Sequence, residues 1–499
     1  MELARTAPGL VFALAAMACA VCGLGLALWP LATSTALVTA IVLSFFMRGT
    51  RGVLKAFLLF LLIQDVLQVI AGGESALSLT IREMDEPMVL LFGGLSVLFN
   101  TAAHRSLRSR GVYVAIAGCF VGLLLSSIPP LSGLVPAAVD LALFSKPFFL
   151  FAIGVSLVPE DAEIEHSLRP LLIVMLVVVS FGVVFLVAPQ LQDAYIGALR
   201  SRDERLGFLS AQGFFIGPGT YSWFAAATFA IAYAAYMAYS RAIYLISTLI
   251  AAGFVILSWR RKSILAVLTI LLVSLLVRTS RGSRGRAFAV VGLSIVIVFT
   301  LLAPHAAGLW RITVAEYGSD DPNANARSAL YYTSFLIARD HFPFGTGLAS
   351  FGSHASKLYY SAVYQDYGIS GVYGLSPGDA SFITDTFWPM VLGEGGLVCF
   401  LAYAGFFWLL LAASWRAARR VGRNATDSFV ALTALFVLVA SLIESTASHI
   451  YGSALQAALV MIPAGILWER EQRRTSALAN VGYTGAVGKR ENARRSAGI

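Results

Sequence analysis

Three arginines and one aspartate are the residues of this chain with the clearest chemical potential. Arg205, Arg281 and Arg327 are predicted to lie on or near the outer face of the membrane, and Asp385 stands just before a predicted apolar segment. A guanidinium group can bind phosphate oxygens in bidentate fashion without the coordination cage that a metal ion needs. A carboxylate at the start of a membrane helix can cap the helix, or it can act as a general base towards a hydroxyl group. The set therefore predicts a site for a phosphorylated ligand, with Asp385 as its candidate base.

Tyrosines cluster in the stretch from about 305 to 385, which contains eight of the eighteen tyrosines in the chain. A tyrosine ring combines an apolar face with a hydroxyl group, which suits sugar rings, and it also suits an aromatic belt at a membrane surface. Both interpretations stay open at this point. The candidate binding residues in and around this stretch are Tyr331, Tyr332, Tyr359, Tyr360, Arg339, His341, Arg278 and Glu394.

These residues belong to an apolar chain. Of its 499 residues, 58% are hydrophobic and 13% are charged, and the mean hydropathy is +0.78. Soluble globular proteins have about 25% charged residues, so the composition excludes a soluble enzyme, a disordered regulator and a disulfide scaffold. Cysteines occur only inside apolar runs, which favours core residues over disulfides or a zinc site. They are Cys19, Cys22, Cys119 and Cys399.

Apolar runs long enough to cross a hydrocarbon core of about 30 Å recur along most of the chain. They predict an all-α, polytopic membrane protein with about 12–14 transmembrane helices and one large, partly helical periplasmic loop. The candidate spans are 9–29, 31–47, 53–71, 87–103, 112–129, 135–158, 170–188, 219–239, 241–259, 263–279, 287–304, 386–412, 427–446 and 452–468.

The chain thus divides into four predicted parts. Residues 1–304 form an N-terminal membrane region with an outer loop at about 189–218, and 305–385 form the large periplasmic loop. Residues 386–468 form a C-terminal membrane region, and 469–499 form a basic cytoplasmic tail that we expect to be disordered.

The distribution of basic residues predicts the orientation. Of the 36 basic residues only 5 are lysines, and clusters at 48–55, 105–110 and 416–423 and in the tail place both termini in the cytoplasm. One predicted span separates the cluster at 260–262 from the cluster at 278–286, so both cannot be cytoplasmic. A basic cluster that violates the positive-inside rule suggests a function.

Several charged residues fall inside apolar segments, where they are costly. They could form a buried polar path, as a transporter needs, or they could be interhelical pairs close to the membrane surface. These residues are Asp65, Asp140, Lys146 and Glu444.

The sequence contains no P-loop and no convincing dinucleotide-binding motif, and its histidines and cysteines have no metal-ligand spacing. We therefore predict no cofactor, no metal and no nucleic-acid partner.

Several segments, taken in order around one large outer loop, resemble the bacterial superfamily of O-antigen ligases and O-antigen or exopolysaccharide polymerases. The resemblance covers roughly 200–400. Its motifs are Arg205 with 213–219 (GFFIGPG), 278–282 (RTSRG, similar to Thr-x-Ser-Arg), Arg327, 340–347 (DHFPFGTG), Phe351, Asp385 and 393–396 (GEGG).

The resemblance implies a metal-independent, inverting glycosyltransferase of the GT-C type in the bacterial inner membrane, with its active site facing the periplasm. Its donor would be a glycan on undecaprenyl diphosphate, whose diphosphate Arg205, Arg281 and Arg327 would hold. The bilayer and a chain-length regulator would be further partners. The resemblance leaves the base open, and Asp385 is our own candidate for it.

Ligases of the superfamily carry a histidine near the start of the helix after the large loop, where this chain has Asp385. This departure favours a polymerase that joins lipid-linked repeat units. The alternatives are a ligase that transfers O-antigen to lipid A-core and, from another class, a lipid-linked oligosaccharide flippase or secondary transporter. A transporter would use Asp65, Asp140 and Glu444 and would need an internal repeat, and no clear one is visible.

Overall fold

A computed structural model describes residues 50–70, 76–103, 110–128, 132–190, 204–205, 208–215, 217–277, 292, 321, 323–420 and 424–496. Within these ranges the chain is helical, apart from loops and one pair of two-residue antiparallel strands, β1 (Glu204–Arg205) and β2 (Phe208–Leu209). Each predicted span that falls in these ranges coincides with a helix. The spans at 9–29, 31–47 and 287–304 lie outside the described residues.

The helices fall into a membrane bundle before and after a short run of loop helices, α10 to α12. In chain order they are α1 (Thr50–Ile70), α2 (Ala76–Glu83), α3 (Asp85–Ala103), α4 (Arg110–Ser126), α5 (Leu134–Leu157), α6 (Asp161–Val187), α7 (Pro218–Tyr239), α8 (Ala242–Leu257), α9 (Arg261–Val277), α10 (Ala326–Asp340), α11 (His354–Leu358), α12 (Val363–Asp366), α13 (Trp388–Ala418), α14 (Ala425–Glu444) and α15 (Ala454–Ser496).

Four described segments are long and apolar enough to cross a membrane: Leu134–Leu157, Asp161–Val187, Trp388–Ala418 and Ala425–Ala447. Shorter apolar helices lie at Ala56–Gln68, Gly111–Ser126 and Ala242–Leu257. The bundle also exposes large apolar side chains on its outer surface, such as Trp408, which is 68% exposed. Exposed apolar faces of this kind are expected where helices contact lipid. The chain is therefore a helical membrane protein.

Hydrogen bonds show which helix ends lie together. At one end, here called the loop end, Asp140 near the start of α5 accepts the N–H of Ala349 from the large loop (2.8 Å). At the opposite end, here called the far end, Asn424 before α14 donates to Asp161 at the start of α6 (2.8 Å). Arg470 of α15 also pairs with Asp161 there (2.9 Å). Helices α5, α13 and α15 therefore begin at the loop end, and α14 begins at the far end.

This arrangement places one of the two basic clusters that the orientation rule could not reconcile. Lys262, at the start of α9, donates to the carbonyl of Ala447 (2.9 Å), so the cluster at 260–262 lies at the loop end. From there α9 runs to the far end, where Ser274 bonds to Tyr233 of α7 (2.9 Å). The cluster at 278–286 follows α9 and lies outside the described residues.

The large loop folds around a small core of its own. Asn325 caps α10 by accepting the N–H of Ser328 (3.0 Å), and this helix makes the loop partly helical, as predicted. Leu330 and Ile337 on one face of α10 are fully buried, together with Tyr364 of α12. Burial raises the pKa of the Tyr364 hydroxyl, so this group stays protonated. Its oxygen accepts the N–H of Gly352 (2.8 Å).

A break in α13 joins this loop to the bundle. Gly396 has a φ of 66°, so the helix cannot form its regular hydrogen bonds across this position. The freed carbonyls of Gly393 and Glu394 accept N–H groups of Thr346 (2.8 Å) and Gly347 (3.0 Å) from the loop. Backbone groups in a membrane protein must find partners, and here the loop backbone supplies them.

The tail differs from its prediction. Residues 469–499 were expected to be disordered, but α15 continues through this region to Ser496. Alanine, arginine, glutamate and lysine are good helix formers, and they extend a helix already nucleated in the bundle.

The break makes a prediction about Gly396. A Cβ atom at this position would lie 2.3 Å from the carbonyl carbon of Phe344, and the backbone is left-handed. We expect Gly396→Ala to destabilise the protein by about 3 kcal/mol and to expose the loop to protease. Thermal unfolding and limited proteolysis in detergent measure both effects.

Gly405→Ala in the same helix is the matched control, because a Cβ there meets no atom within 4 Å. It should be neutral or slightly stabilising. Equal melting temperatures for the two variants would contradict the role of the break.

Candidate functional site

The elements that carry the predicted site residues meet at the 3₁₀ turn Ser445–Ala447, which follows α14 and is here called the 445–447 turn. The hydroxyl of Tyr331 in α10 donates to the carbonyl of Thr446 (2.9 Å). The indole N–H of Trp388, at the start of α13, donates to Oγ of Ser445 (2.9 Å). Together with Lys262, these contacts bring α9, α10 and α13 to one point at the loop end.

Beside this turn, the two residues with the strongest predicted chemistry are in contact. Nη2 of Arg327 lies 2.6 Å from Oδ2 of Asp385, and the two side chains are 29% and 30% exposed. The N-terminal turn of α10 positions the arginine, and a turn closed by the N–H of Asp385 and the carbonyl of Phe382 (3.1 Å) positions the carboxylate. A half-exposed pair of this kind is accessible to a ligand from solution.

A second ion pair lies on the other side of the same turn. Nζ of Lys262 is 2.7 Å from Oε1 of Glu444; the lysine is 21% exposed and the glutamate 1%. In the sequence, Glu444 stands out only as a costly charge in an apolar segment, and the cluster at 260–262 only as a violation of the charge rule. No local pattern connects them, because 182 residues separate the two positions. The violated rule was the signal that pointed to this cluster.

Glu394, a predicted substrate contact, lies inside the protein. Its side chain is fully buried, and Oε1 accepts the N–H of Phe351 (2.9 Å). Its carboxyl group lies beside that of Asp140, which is 1% exposed and accepts the N–H of Ala349. Since two adjacent buried carboxyl groups repel each other when both are charged, we infer that the pair holds one proton, and its contacts fasten the loop to α5 and α13.

The predicted binding tyrosines of the loop differ in how exposed they are. Tyr332 and Tyr359 are 50% and 48% exposed and can contact a ligand. Tyr360, in contrast, packs inside the loop and donates its hydroxyl to the carbonyl of Leu375 (2.7 Å).

Two further predicted residues lie at the end of α10. Arg339 pairs with Asp340 on the surface (2.8 Å), and its hydrogen bond lowers the pKa of that carboxyl group. His341 is the exposed residue that ends α10.

Three predicted arginines are not placed with the others. Arg205 belongs to β1, and its side chain lies outside the described part of the structure. Arg278 and Arg281 lie outside the described residues altogether.

The remaining charges inside apolar segments also have partners. Lys146 donates to Oε1 of Glu86 (2.8 Å) and to the carbonyl of Gly452 (2.8 Å). Nearby, burial raises the pKa of Asp85 to about 6, and it lowers the pKa of His354. Asp140, Lys146 and Glu444 are therefore paired near the loop end, as interhelical pairs would be.

Across the described ranges, no group of three or more histidine, cysteine, aspartate or glutamate side chains could hold a metal ion. Cys119 and Cys399 are buried and free, as core residues would be. No protein-family model and no curated protein matches this chain.

The shared proton of Asp140 and Glu394 can be tested with an isosteric amide. Glu394→Gln supplies a permanent N–H to Asp140 and keeps a carbonyl for Phe351, so it should change stability by less than about 1 kcal/mol. Glu394→Ala leaves Asp140 buried without this partner and should cost about 3 kcal/mol. Thermal unfolding in detergent measures the difference.

Glu471→Gln is the matched control, because Glu471 pairs with Arg420 at the far end, away from the loop. A Glu394→Gln variant as unstable as Glu394→Ala would contradict the shared proton and indicate that Glu394 must be charged.

Proposed function

We propose that this protein is a membrane polysaccharide polymerase that joins oligosaccharide repeat units carried on undecaprenyl diphosphate, without a metal ion. The observation that carries the proposal is the contact of Arg327 with Asp385 beside a tyrosine-rich loop at the loop end of the bundle. It combines a phosphate-binding cation and a carboxylate where a lipid-linked glycan would present both its diphosphate and its sugars. The reaction would take place on the periplasmic side of the inner membrane.

The chemistry is one displacement at the anomeric carbon of the donor glycan. The bond between this carbon and the diphosphate oxygen breaks, and its electron pair leaves with undecaprenyl diphosphate. A hydroxyl group of the second lipid-linked glycan attacks from the opposite face, so the configuration inverts. Its proton passes to Asp385, while Arg327 stabilises the charge that develops on the leaving diphosphate.

The geometry of the pair supports an order of events. Arg327 and Asp385 neutralise each other when no substrate is bound, but an ion pair that is 29% and 30% exposed stabilises a protein by only about 0–1 kcal/mol. A diphosphate carries more charge than one carboxylate and can displace Asp385 from Arg327. Binding of the donor would then release the carboxylate to accept the proton of the acceptor hydroxyl.

The transporter alternative finds less support. It needs a polar path across the bundle, whereas Glu444 is paired with Lys262 and Lys146 with Glu86. Asp140 accepts an N–H from the loop and lies beside Glu394. These contacts favour a structural role for the buried charges.

Removal of either member of the pair tests the proposal in cells that lack the chromosomal copy. Arg327→Ala and Asp385→Asn should each lower the amount of long polymer at least a hundredfold, because the first loses the stabilised leaving group and the second loses the base. Gel separation of glycan chain lengths measures the effect.

Arg416→Ala is the matched control, since Arg416 lies near the end of α13 and donates to the carbonyl of Ala412 in its own helix (3.1 Å). Loss of a polymerase leaves single repeat units attached to their final acceptor, whereas loss of a ligase leaves no attached glycan. Long chains from both site variants would refute the assignment, and an absence of attached glycan would identify a ligase.

A further inference from the structure

We propose that the basic cluster Arg260-Arg261-Lys262 binds the phosphate groups of the lipid-linked ligand, with Lys262 as its central cation. This inference rests on the proposed function for the identity of the ligand. It assigns part of the diphosphate site to a segment outside the motifs that carry the family resemblance.

The cluster at 260–262 lies at the end of the bundle where basic residues are not expected. Membrane proteins concentrate basic residues in cytoplasmic loops, and the clusters at 416–423 and in α15 lie together at the far end, where Arg420 contacts Glu471. The cluster at 260–262 lies instead at the loop end. Three successive cations there oppose the orientation that the other clusters set, so topology does not explain them.

The contacts of Lys262 leave it able to bind a further group. Its ammonium group is ion-paired with the buried carboxylate of Glu444 and donates to the carbonyl of Ala447. An ammonium group has three N–H groups, so after one donates to Ala447 and one is assigned to the ion pair, the third can be donated to a phosphate oxygen. Because Glu444 is 1% exposed and Lys262 is 21% exposed, the negative charge lies inside the protein and the positive charge faces outward.

Lys262 and Arg327 belong to helices that meet at the 445–447 turn. Lys262 and Tyr331 bind the neighbouring carbonyls of Ala447 and Thr446, so their polar atoms lie within about 10 Å of each other. Tyr331 is four residues after Arg327 and therefore on the same face of α10. Lys262 and Arg327 thus flank the 445–447 turn, and a diphosphate with its lipid and sugar substituents can reach both.

Two further basic residues stand next to Lys262 in the sequence. Asp385 and Glu444 neutralise one charge each on Arg327 and Lys262. Arg260 and Arg261 bring two further guanidinium groups to this end, at the start of α9. The segment after β2 approaches the same end, since the N–H of Ala211 donates to the carbonyl of Leu257 (3.1 Å). Guanidinium and ammonium groups of this kind bind phosphate oxygens.

The test measures binding and does not require polymerisation. The full chain is placed in nanodiscs of phosphatidylcholine, undecaprenyl diphosphate is titrated in, and tryptophan fluorescence reports binding. Since Lys262→Met alone would leave Glu444 buried and unpaired, the test variant is the double substitution Lys262→Met with Glu444→Gln. We expect its affinity to be at least tenfold lower, at an unchanged melting temperature.

A second variant, Arg260→Gln with Arg261→Gln, should also weaken binding, and it leaves the buried pair intact. Lys357→Met is the matched control, because Lys357 is a lysine of α11 in the large loop and does not belong to the cluster. It should bind the diphosphate as the unaltered protein does.

A competing arm separates the two sources of phosphate at a membrane surface. Phosphatidylglycerol added to the nanodiscs should compete only weakly if the cluster selects the lipid diphosphate. Equal competition by phosphatidylglycerol would overturn the assignment and define a site for anionic headgroups. Unchanged affinity in both cluster variants would overturn it as well.

The outcomes also separate this inference from the proposed function. Binding that depends on the cluster, in a protein whose Arg327 and Asp385 variants still make long polymer, would support the phosphate site and refute the catalytic assignment. Normal binding by the cluster variants, with polymer lost in the Arg327 and Asp385 variants, would do the reverse.

Discussion

The hydrogen bonds between the large loop and the broken helix α13 are the constraint on which the rest of the structure depends. A helix that stops its regular bonding at Gly396 has backbone groups that a membrane environment cannot satisfy. The loop backbone around Thr346 and Gly347 satisfies them, and in doing so it fixes the height and direction of α10 above the bundle. The positions of Arg327 and of the exposed tyrosines follow from this junction.

The buried charges at the loop end each have a partner from a distant part of the chain. Glu394 lies beside Asp140, Glu444 pairs with Lys262, and Lys146 pairs with Glu86. Each pair links two or more helices, so the charges that are costly in an apolar segment define how the helices meet. The pair of Arg327 and Asp385 differs because neither of its members is buried, and this difference makes it the candidate reaction centre.

Sequence reasoning reached the helices and the identities of the site residues but not their contacts. Apolar length predicts the spans, because this signal is local. The contact of Arg327 with Asp385 joins positions 58 residues apart, and no local pattern encodes it. Glu394 was predicted as a substrate contact, and its burial beside Asp140 of α5 and its bond to the loop backbone were not visible in the sequence. The glycines of the same motif gave no sign of a broken helix, since glycine alone does not reveal its φ.

The docking of the loop has a consequence for affinity and selectivity. Residues held by α13 and by the carboxyl pair lose their conformational entropy when the protein folds, so a glycan does not have to order them on binding. Ordering costs about 0.5–1.5 kcal/mol for each flexible side chain, and a preformed surface avoids much of this cost. The same rigidity prevents the surface from widening around a bulkier repeat unit. Discrimination between glycans would then depend on the few mobile side chains at its edge, such as Tyr332 and Tyr359.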